Sequence, residues 1–576
     1  MQRTSSLGSV KDTFFINQWR KLQSFSFREK ILVALFLFVG VSSFLYWGGA
    51  LYRYFTVEIP RQGGTYIEGI VGNPLYINPV LAKANGPDYD ISRLVYSGLF
   101  KYTPDGSLQE DLAQDYTISE DGKEYIVNIK QDIFWHDGEL VDAEDVVFTF
   151  NRIQELAFKS PLREAWLNVE VKQGEDPYTL MFSLEDPRAD FLELLTVGIL
   201  PKHLWENVGA ENFALNRLNL EPVGTGPYKF DRSQKDANGK VLIYELLSFE
   251  EYYNQRPYID SIVFKFYPDR EALLMAYKNK EVRGMGGIDI SVWEELEEYQ
   301  ERLDLHSMRI PHYYVTYFNP NKSEALGYEK VRDAIALATD REGIVEQVFQ
   351  DRASIVRGPF LPNMIDEEGD SRSKGERIEE ANRLLEEDGW ARGEDGIREK
   401  DGVRLEFDFS TADWPEFTRS ADILRDQWAE IGVRANVKVV SVYDLWNNYI
   451  KPREYDALLF AHTTTLIPDV YPYWNSSKTK DPGLNLAVYK GDTMDELTQE
   501  LRVTRNKEER REISNALVRV LEEENPALYL LSPEYLYPVH KEVRGMEVQE
   551  VAEDADRFFD VENWYIKTKR VWNKEE

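Results

Sequence analysis

The stretch Val95–Ile153 reads VYSGLFKYTPDGSLQEDLAQDYTISEDGKEYIVNIKQDIFWHDGELVDAEDVVFTFNRI, and its reading decides the fold. Pro104 and Gly106 mark a turn, because proline fixes φ and glycine accepts positive φ. The pattern predicts a short strand over Tyr116–Ile118, a tight turn at Asp121-Gly122, and a partner strand over Glu124–Lys130. In that partner Tyr125, Val127 and Ile129 alternate with Ile126, Asn128 and Lys130, so one face is the more buried. Trp135-His-Asp-Gly138 makes a second turn. Asp142 then caps a helix whose first turn carries Glu144 and Asp145, the charge favoured at a positive helix end. Val146, Phe150 and Ile153 form the apolar stripe of that helix. The result is a hairpin, a turn and a capped helix, with no catalytic arrangement in it.

The blocks GLFKYTPDG, DLAQDYTISEDGKEY, IFWHDGELVDAEDVVFTF and the later VGTGPYKF resemble the solute-binding proteins of family 5, the oligopeptide/dipeptide receptors of ABC importers. They occur in the family's order, and the likeness runs from about Gly63 to about Gly545. The resemblance implies an α/β, bilobal periplasmic-binding-protein-like fold with a hinge between its lobes. It implies a peptide ligand, ABC permease and ATPase subunits as partners, and no cofactor. The blocks themselves are scaffold, and His136 reads as a turn and packing residue.

Composition agrees with a large, folded, multidomain chain. At 576 residues it exceeds what one hydrophobic core usually serves. Its 43% hydrophobic and 13% aromatic content exclude a disordered chain. A net charge of −33 argues against nucleic acid as a partner. The acid excess lies after Arg61 and reads as solvation, with attraction of cationic substrates as the sharper alternative. Cysteine is absent, which removes disulfides, thiolate metal sites, cysteine nucleophiles and lipid attachment through cysteine.

Residues 1–30 are basic, and Ile31–Tyr52 (ILVALFLFVGVSSFLYWGGALY) then runs without a charge. As a helix this segment is roughly 33 Å long, enough to span a bilayer core. The basic flank places the N-terminus in the cytoplasm. Tyr46, Trp47, Tyr52 and Tyr54 sit where an interfacial aromatic belt belongs. The expected arrangement is a cytoplasmic segment 1–30 and a single transmembrane anchor 31–52, with the bulk of the chain extracytoplasmic; a cleaved signal peptide is the rival.

Beyond the anchor, Gly63–Ile70 reads as an edge strand, Asn73–Asp88 as an irregular loop and Ile91–Leu99 as a helix. Phe191–Leu200 reads as a short apolar helix. Gly224-Thr-Gly-Pro-Tyr228 lacks the Gly-Lys-Ser/Thr of a phosphate loop and reads as a backbone turn. Up to about Ser291 the strands look antiparallel. After it helices and strands alternate: Val331–Phe349 helical, Leu405–Phe409 a strand, Glu416–Ile431 a helix and Val433–Val442 a strand, a right-handed parallel βαβ unit. Asp366–Glu376 is the expected mobile loop. The two lobes are expected over 61–285, with a return segment 531–576, and over 286–530. Their crossings are placed near Met285, Ile310 and Leu530, and the strand Met308–Phe318 runs through the region.

No His-Glu-x-x-His and no Gly-x-Ser-x-Gly is present, so no enzyme is expected. His306 and His312 could share a strand face but lack a third ligand, and no metal site is expected. Paired acids at Glu294-Glu295 and Glu297-Glu298 read as solvated. Many receptors of the family place an aspartate after a strand of the second lobe, where it pairs with the ligand's α-amine. Aligned here on Pro468-Asp469, that position falls on Leu466, which leaves Asp469 as the nearest acid, either as an amine anchor or as a cap of the turn toward Trp474. The backbone at Asn85 and Gly86 and the strand residues Tyr313 and Tyr314 are candidates to hold a peptide main chain. Trp414, Trp446 and Tyr489 complete the candidate contacts. Two alternatives stand beside the peptide receptor: the same fold binding another solute, such as an oligosaccharide stacked on Trp414, Trp446, Trp474 or Tyr449, and an anchored ligand sensor without transport. Dependence on a free peptide N-terminus is expected to be weakened.

Overall fold

The hairpin of Ala113–Ile118 and Glu124–Ile129 forms one side of a four-stranded antiparallel sheet, in the order Ala113–Ile118, Glu124–Ile129, Thr179–Leu184, Val169–Gln173. Gly122 turns it with φ 71°. Tyr125, Val127 and Ile129 are buried, whereas Ile126 faces outward. Asp142 caps the helix Ala143–Gln154, accepting from Glu144 N (2.8 Å) and Asp145 N, while the Asp145 carboxylate reaches back to Asp142 N (3.1 Å). Val146, Phe150 and Ile153 of that helix are fully buried. The computed structural model describes residues 26–288, 290–299, 301–366 and 372–573. Residues 1–25 of the basic N-terminus, the centre of the 366–376 loop and the side chains of Glu294 and Glu297 lie outside the described residues.

The chain forms two compact units, and the first lies within residues 1–62 and 567–576. In it the helix Phe27–Phe55 starts in a capping box of Ser26 and Glu29 and buries none of its residues. It is long and apolar enough to cross a membrane. The strand Thr56–Arg61 follows directly and pairs antiparallel with Lys567–Trp572.

The second unit, Gly63–Ile566, is built on two larger sheets. The seven-stranded sheet runs Leu303–Met308, Tyr535–His540, Gly284–Met285, Thr65–Val71, Ser261–Tyr267, Val241–Ser248, Tyr228–Lys235. The six-stranded sheet runs Ala353–Ile355, Ala527–Pro533, His312–Phe318, Ala457–Thr463, Glu406–Ala412, Arg434–Val440. The last two of these are the expected parallel βαβ pair, joined by the helix Pro415–Ala429. The chain leaves the first sheet at Met308 and enters the second at His312, then returns between Pro533 and Tyr535. The two passages run together, since Met308 pairs with Tyr535, and Ser532 Oγ donates to Ile310 O (2.8 Å).

Several elements differ from their sequence reading. Thr65–Val71 is an interior strand rather than an edge, parallel to both Ser261–Tyr267 and Gly284–Met285. Its polar member Glu68 concealed this; it is buried and held by Arg557 (3.1 Å), Tyr66 and Tyr537. The helix expected at Ile91–Leu99 runs Gly86–Val95, because Pro87 is tolerated in a first helical turn. Val331–Phe349 breaks at Thr339-Asp340, where Asp340 caps a second helix by accepting from Gly343 N (3.2 Å). Phe191–Leu194 is only one helical turn. Met308–Phe318 is two strands of different sheets, interrupted at Pro311, which has no N–H to donate. His306 and His312 therefore sit in different sheets and share no face.

His136 ties two turns together. Its Nδ1 accepts from Gly224 N (3.2 Å) and its Nε2 donates to Gly226 O (3.0 Å). Burial lowers its pKa to about 4, so it is neutral at physiological pH. The glycines are required by close approach: a Cβ on Gly224 would stand 1.9 Å from Val95 O, and one on Gly226 2.5 Å from Leu94 O.

Candidate functional site

A cavity of about 270 Å³ opens where the part of the chain carrying the seven-stranded sheet meets the segment following Ala457–Thr463. The helix Gly86–Val95 supplies Tyr89, Ser92 and Arg93 to its wall. Segments 162–166, 188–198 and 552–556 supply further sides, and Thr465 comes from beyond the second sheet. Leu162, Ala165, Trp166 and Val197 make part of the wall apolar.

Charge on the lining is nearly all paired. Lys83 meets Glu553 at 2.6 Å, Arg93 meets Asp556 at 2.7 Å, and Arg188 grips Asp190 with two bonds of 3.0 and 2.7 Å. Glu193 is the remaining lining carboxylate and is buried. Its Oε1 accepts from Tyr102 Oη (2.6 Å) and from Ile467 N (2.9 Å). Its Oε2 has no hydrogen-bond partner where the Thr465 hydroxyl, which stands within reach of the carboxylate, donates to Ile467 O (3.0 Å). Burial lifts the Glu193 carboxyl from the usual 4.5 to about 7, against the pull of the Thr465 and Tyr102 hydroxyls, and the Asp190 charge adds to the rise. Two more buried lining atoms lack partners, Tyr96 Oη and Arg93 Nε. Three buried polar atoms of lining residues thus lack a partner, one carboxylate oxygen, one hydroxyl and one guanidinium N–H, beside apolar surface. That set suits a ligand with charged and main-chain polar groups. Among the described residues, no group of three or more His, Cys, Asp or Glu could hold a metal ion.

None of the eight candidate residues from the sequence lines this cavity. Asn85 is half-buried, its amide donating to Asn73 O (3.0 Å) and Asp88 (2.7 Å). Gly86 borders a different cavity, beside Asp90 and Arg557. Tyr313 and Tyr314 are buried in the middle of the six-stranded sheet. Tyr314 stacks on Phe417 at 4.3 Å, and Trp414, 44% exposed, approaches the same ring at 5.5 Å, so these two are brought together. Trp446 lies apart in the segment Leu445–Ile450, and Tyr489 Oη donates to Glu524 (2.8 Å). Asp469 accepts from Tyr471 N (3.1 Å) and pairs with Arg502 (3.2 Å), the turn-capping arrangement. Burial and the Asp190 charge raise its pKa. Sequence reasoning missed Glu193, Tyr96 and Arg93. Glu193 did leave a trace, being the one charged residue in the apolar run FLELLTVGIL.

Residues 107–483 match the family model described as "Bacterial extracellular solute-binding proteins, family 5 Middle". The oligopeptide-binding protein AppA of Bacillus subtilis is 25% identical over 515 residues, covering 88% of this chain and 92% of that protein. The dipeptide-binding protein of Escherichia coli is 26% identical over 538 residues, covering 86% and 94%. Among solved structures, NikZ from Campylobacter jejuni, in complex with Ni(L-His), superposes with a TM-score of 0.67 at 26% identity, covering 87% of this chain and 99% of that one.

Proposed function

The chain belongs to the bacterial extracellular solute-binding proteins of family 5, and on that premise we propose that it captures peptides outside the cytoplasm and delivers them to an ABC importer. The observation that carries the reading is the cavity, with its unpartnered carboxylate oxygen, hydroxyl and guanidinium N–H beside apolar surface. A peptide supplies an ammonium, a carboxylate, carbonyls and amides to such a set without a covalent step. The peptide-binding relatives AppA and the E. coli dipeptide-binding protein support it along most of the chain. NikZ, which holds a nickel–histidine complex, makes an amino-acid chelate the second candidate ligand.

Two finer readings go with this one. Residues 63–308 with 535–566 form one lobe and 312–533 the other, so the hinge is the paired passage at 309–311 and 534. The pairing of Leu303–Met308 within the first sheet supports a boundary at Ile310 rather than at Met285. The helix Phe27–Phe55 stays uncleaved and holds the receptor in the membrane, a role favoured by its uncharged span and the absence of cysteine. Retention of the mature chain in membranes after alkaline carbonate washing supports the anchor; a soluble mature form beginning near Leu51 refutes it.

Thermal-shift screening of the full chain in detergent against peptide, oligosaccharide and nickel–histidine pools tests the ligand class. Peptides are expected to raise the melting temperature and to be recovered intact by mass spectrometry. Stabilisation by sugars or by nickel–histidine alone would overturn the reading, and recovery of cleaved peptides would demand an enzyme.

A further inference from the structure

Lys83, Arg93 and Arg188 on the cavity wall each have a carboxylate partner, and those partners are Glu553, Asp556 and Asp190. Glu193 is the fourth acid and has no cation bonded to it. The groups facing it are known. Tyr102 and Ile467 N occupy Oε1, the Thr465 hydroxyl stands within reach of the carboxylate, and Arg188, whose charge also acts on Glu193, is held by Asp190. Arg510 stands near but donates to the carbonyls of Leu501 (2.6 Å), Thr504 (3.0 Å) and Pro468 (2.9 Å). A buried carboxylate with an unpartnered oxygen, on a residue that lines a cavity, is complementary to a cation carried by the ligand.

We propose that Glu193 is the residue that receives an ammonium group of the bound peptide, making the receptor selective for ligands that place an amine at this corner of the cavity. The inference rests on the peptide reading above. It assigns the amine to the first lobe, whereas Asp469 is already engaged by Arg502 and Tyr471 N. Tyr96 Oη and Arg93 Nε remain for carbonyl or carboxylate oxygens of the same ligand. Peptide binding then restores the expectation, weakened by Leu466, that a free amine matters. At a pH below about 7 Glu193 is largely protonated in the empty cavity, and an arriving ammonium displaces that proton.

The test uses the full chain in detergent and a mixed-sequence tripeptide library offered in three forms: free N-termini, N-acetylated without lysine, and N-acetylated with lysine. Native mass spectrometry identifies bound species, and calorimetry in buffers of different ionisation enthalpy follows binding to wild type and to Glu193→Gln. Expected is a preference for amine-bearing peptides of at least roughly thirtyfold, lost in Glu193→Gln, which still binds peptides weakly. In wild type near pH 6, close to one proton per ligand should be released, and none in the variant. Preference for free termini over both acetylated forms assigns the α-amine; rescue by lysine assigns the ε-amine. A purely structural role for Glu193 would leave amine preference and proton release unchanged in the variant, and that result overturns the proposal while the peptide reading stands. Failure of every peptide to bind wild type would overturn both.

Discussion

Glu193→Gln should stabilise the ligand-free receptor, increasingly as pH rises from about 4.5 to about 7. The carboxyl titrates near 4.5 when unfolded and at about 7 when folded, so the native state binds its proton more tightly. Stability contributed by this group therefore falls as pH rises through that window. The shift corresponds to a loss of at most about 3 kcal/mol at roughly 1.36 kcal/mol per pKa unit, complete above about pH 7. The perturbation is conservative, because a glutamine side-chain oxygen can still accept from Tyr102 Oη and Ile467 N. Over the roughly 500 residues of Gly63–Ile566, 3 kcal/mol amounts to about 3 °C in melting temperature. Melting of wild type and variant should coincide near pH 4.5 and diverge, variant above wild type, toward pH 8. A difference that is constant across that range, or a wild type more stable at pH 8, would refute the reasoning. Amine-bearing peptides should close the gap by supplying the missing charge.

Arg557→Ala leaves Glu68 and Asp90 buried without their cation, and should cost at least about 3 kcal/mol, read as loss of the cooperative urea transition. Gly224→Ala forces a Cβ into Val95 O and should abolish soluble expression of the exported part, whereas Gly239→Ala, with open space around it but φ 84°, should cost only about 1 kcal/mol in chemical denaturation. Asp142→Ala removes a helix cap and should lower stability by about 1 kcal/mol, with no effect on ligand affinity by calorimetry. Asp469→Ala should loosen the turn at Tyr471 by about 1 kcal/mol while the ratio of free to acetylated peptide binding stays as in wild type.

The scaffold was legible where the physics is local. The Asp121-Gly122 hairpin, the Asp142 cap and the parallel strands on either side of Pro415–Ala429 follow from turn chemistry, capping and period. Thr65–Val71 was misread because its polar Glu68 resembles the outward residue of an edge strand. Its cation, Arg557, is 489 residues away in the chain, and no local pattern connects them. The site was less legible for the same reason. Its wall is assembled from segments near 90, 165, 190, 465 and 555, each of which reads alone as ordinary helix or loop. The aromatic candidates Tyr313 and Tyr314 were drawn from a strand whose faces are both covered, so aromatic content there signals core. Glu193 was the exception in principle: a carboxylate inside FLELLTVGIL must be buried or the run exposed. The sequence alone does not say whether such an acid is neutralised internally or left open.

That open carboxylate also joins the two lobes proposed above. Ile467 follows the strand Ala457–Thr463 of the second sheet, and its N–H ends on Oε1 of Glu193, a residue of the first lobe. Ala189 N to Arg502 O (2.9 Å) and Asn363 Nδ2 to Glu550 (2.9 Å) cross in the same way, but neither ends on a residue that lines the cavity. A hydrogen bond to an ionised carboxylate is roughly twice as strong as one to a neutral carboxyl. An ammonium at Oε2 keeps Glu193 ionised, and so strengthens the Ile467 bond on the opposite oxygen. Ligand amine and lobe closure thereby act on the two oxygens of one side chain, coupled by about 1 kcal/mol. The coupling is reciprocal: closure favours the amine as much as the amine favours closure. An acetylated peptide can occupy the cavity yet leave Glu193 protonated near pH 6 and the lobes less firmly shut. Small-angle scattering at that pH should therefore show greater compaction with free than with acetylated peptide at saturation of both, and identical compaction would separate the amine site from closure.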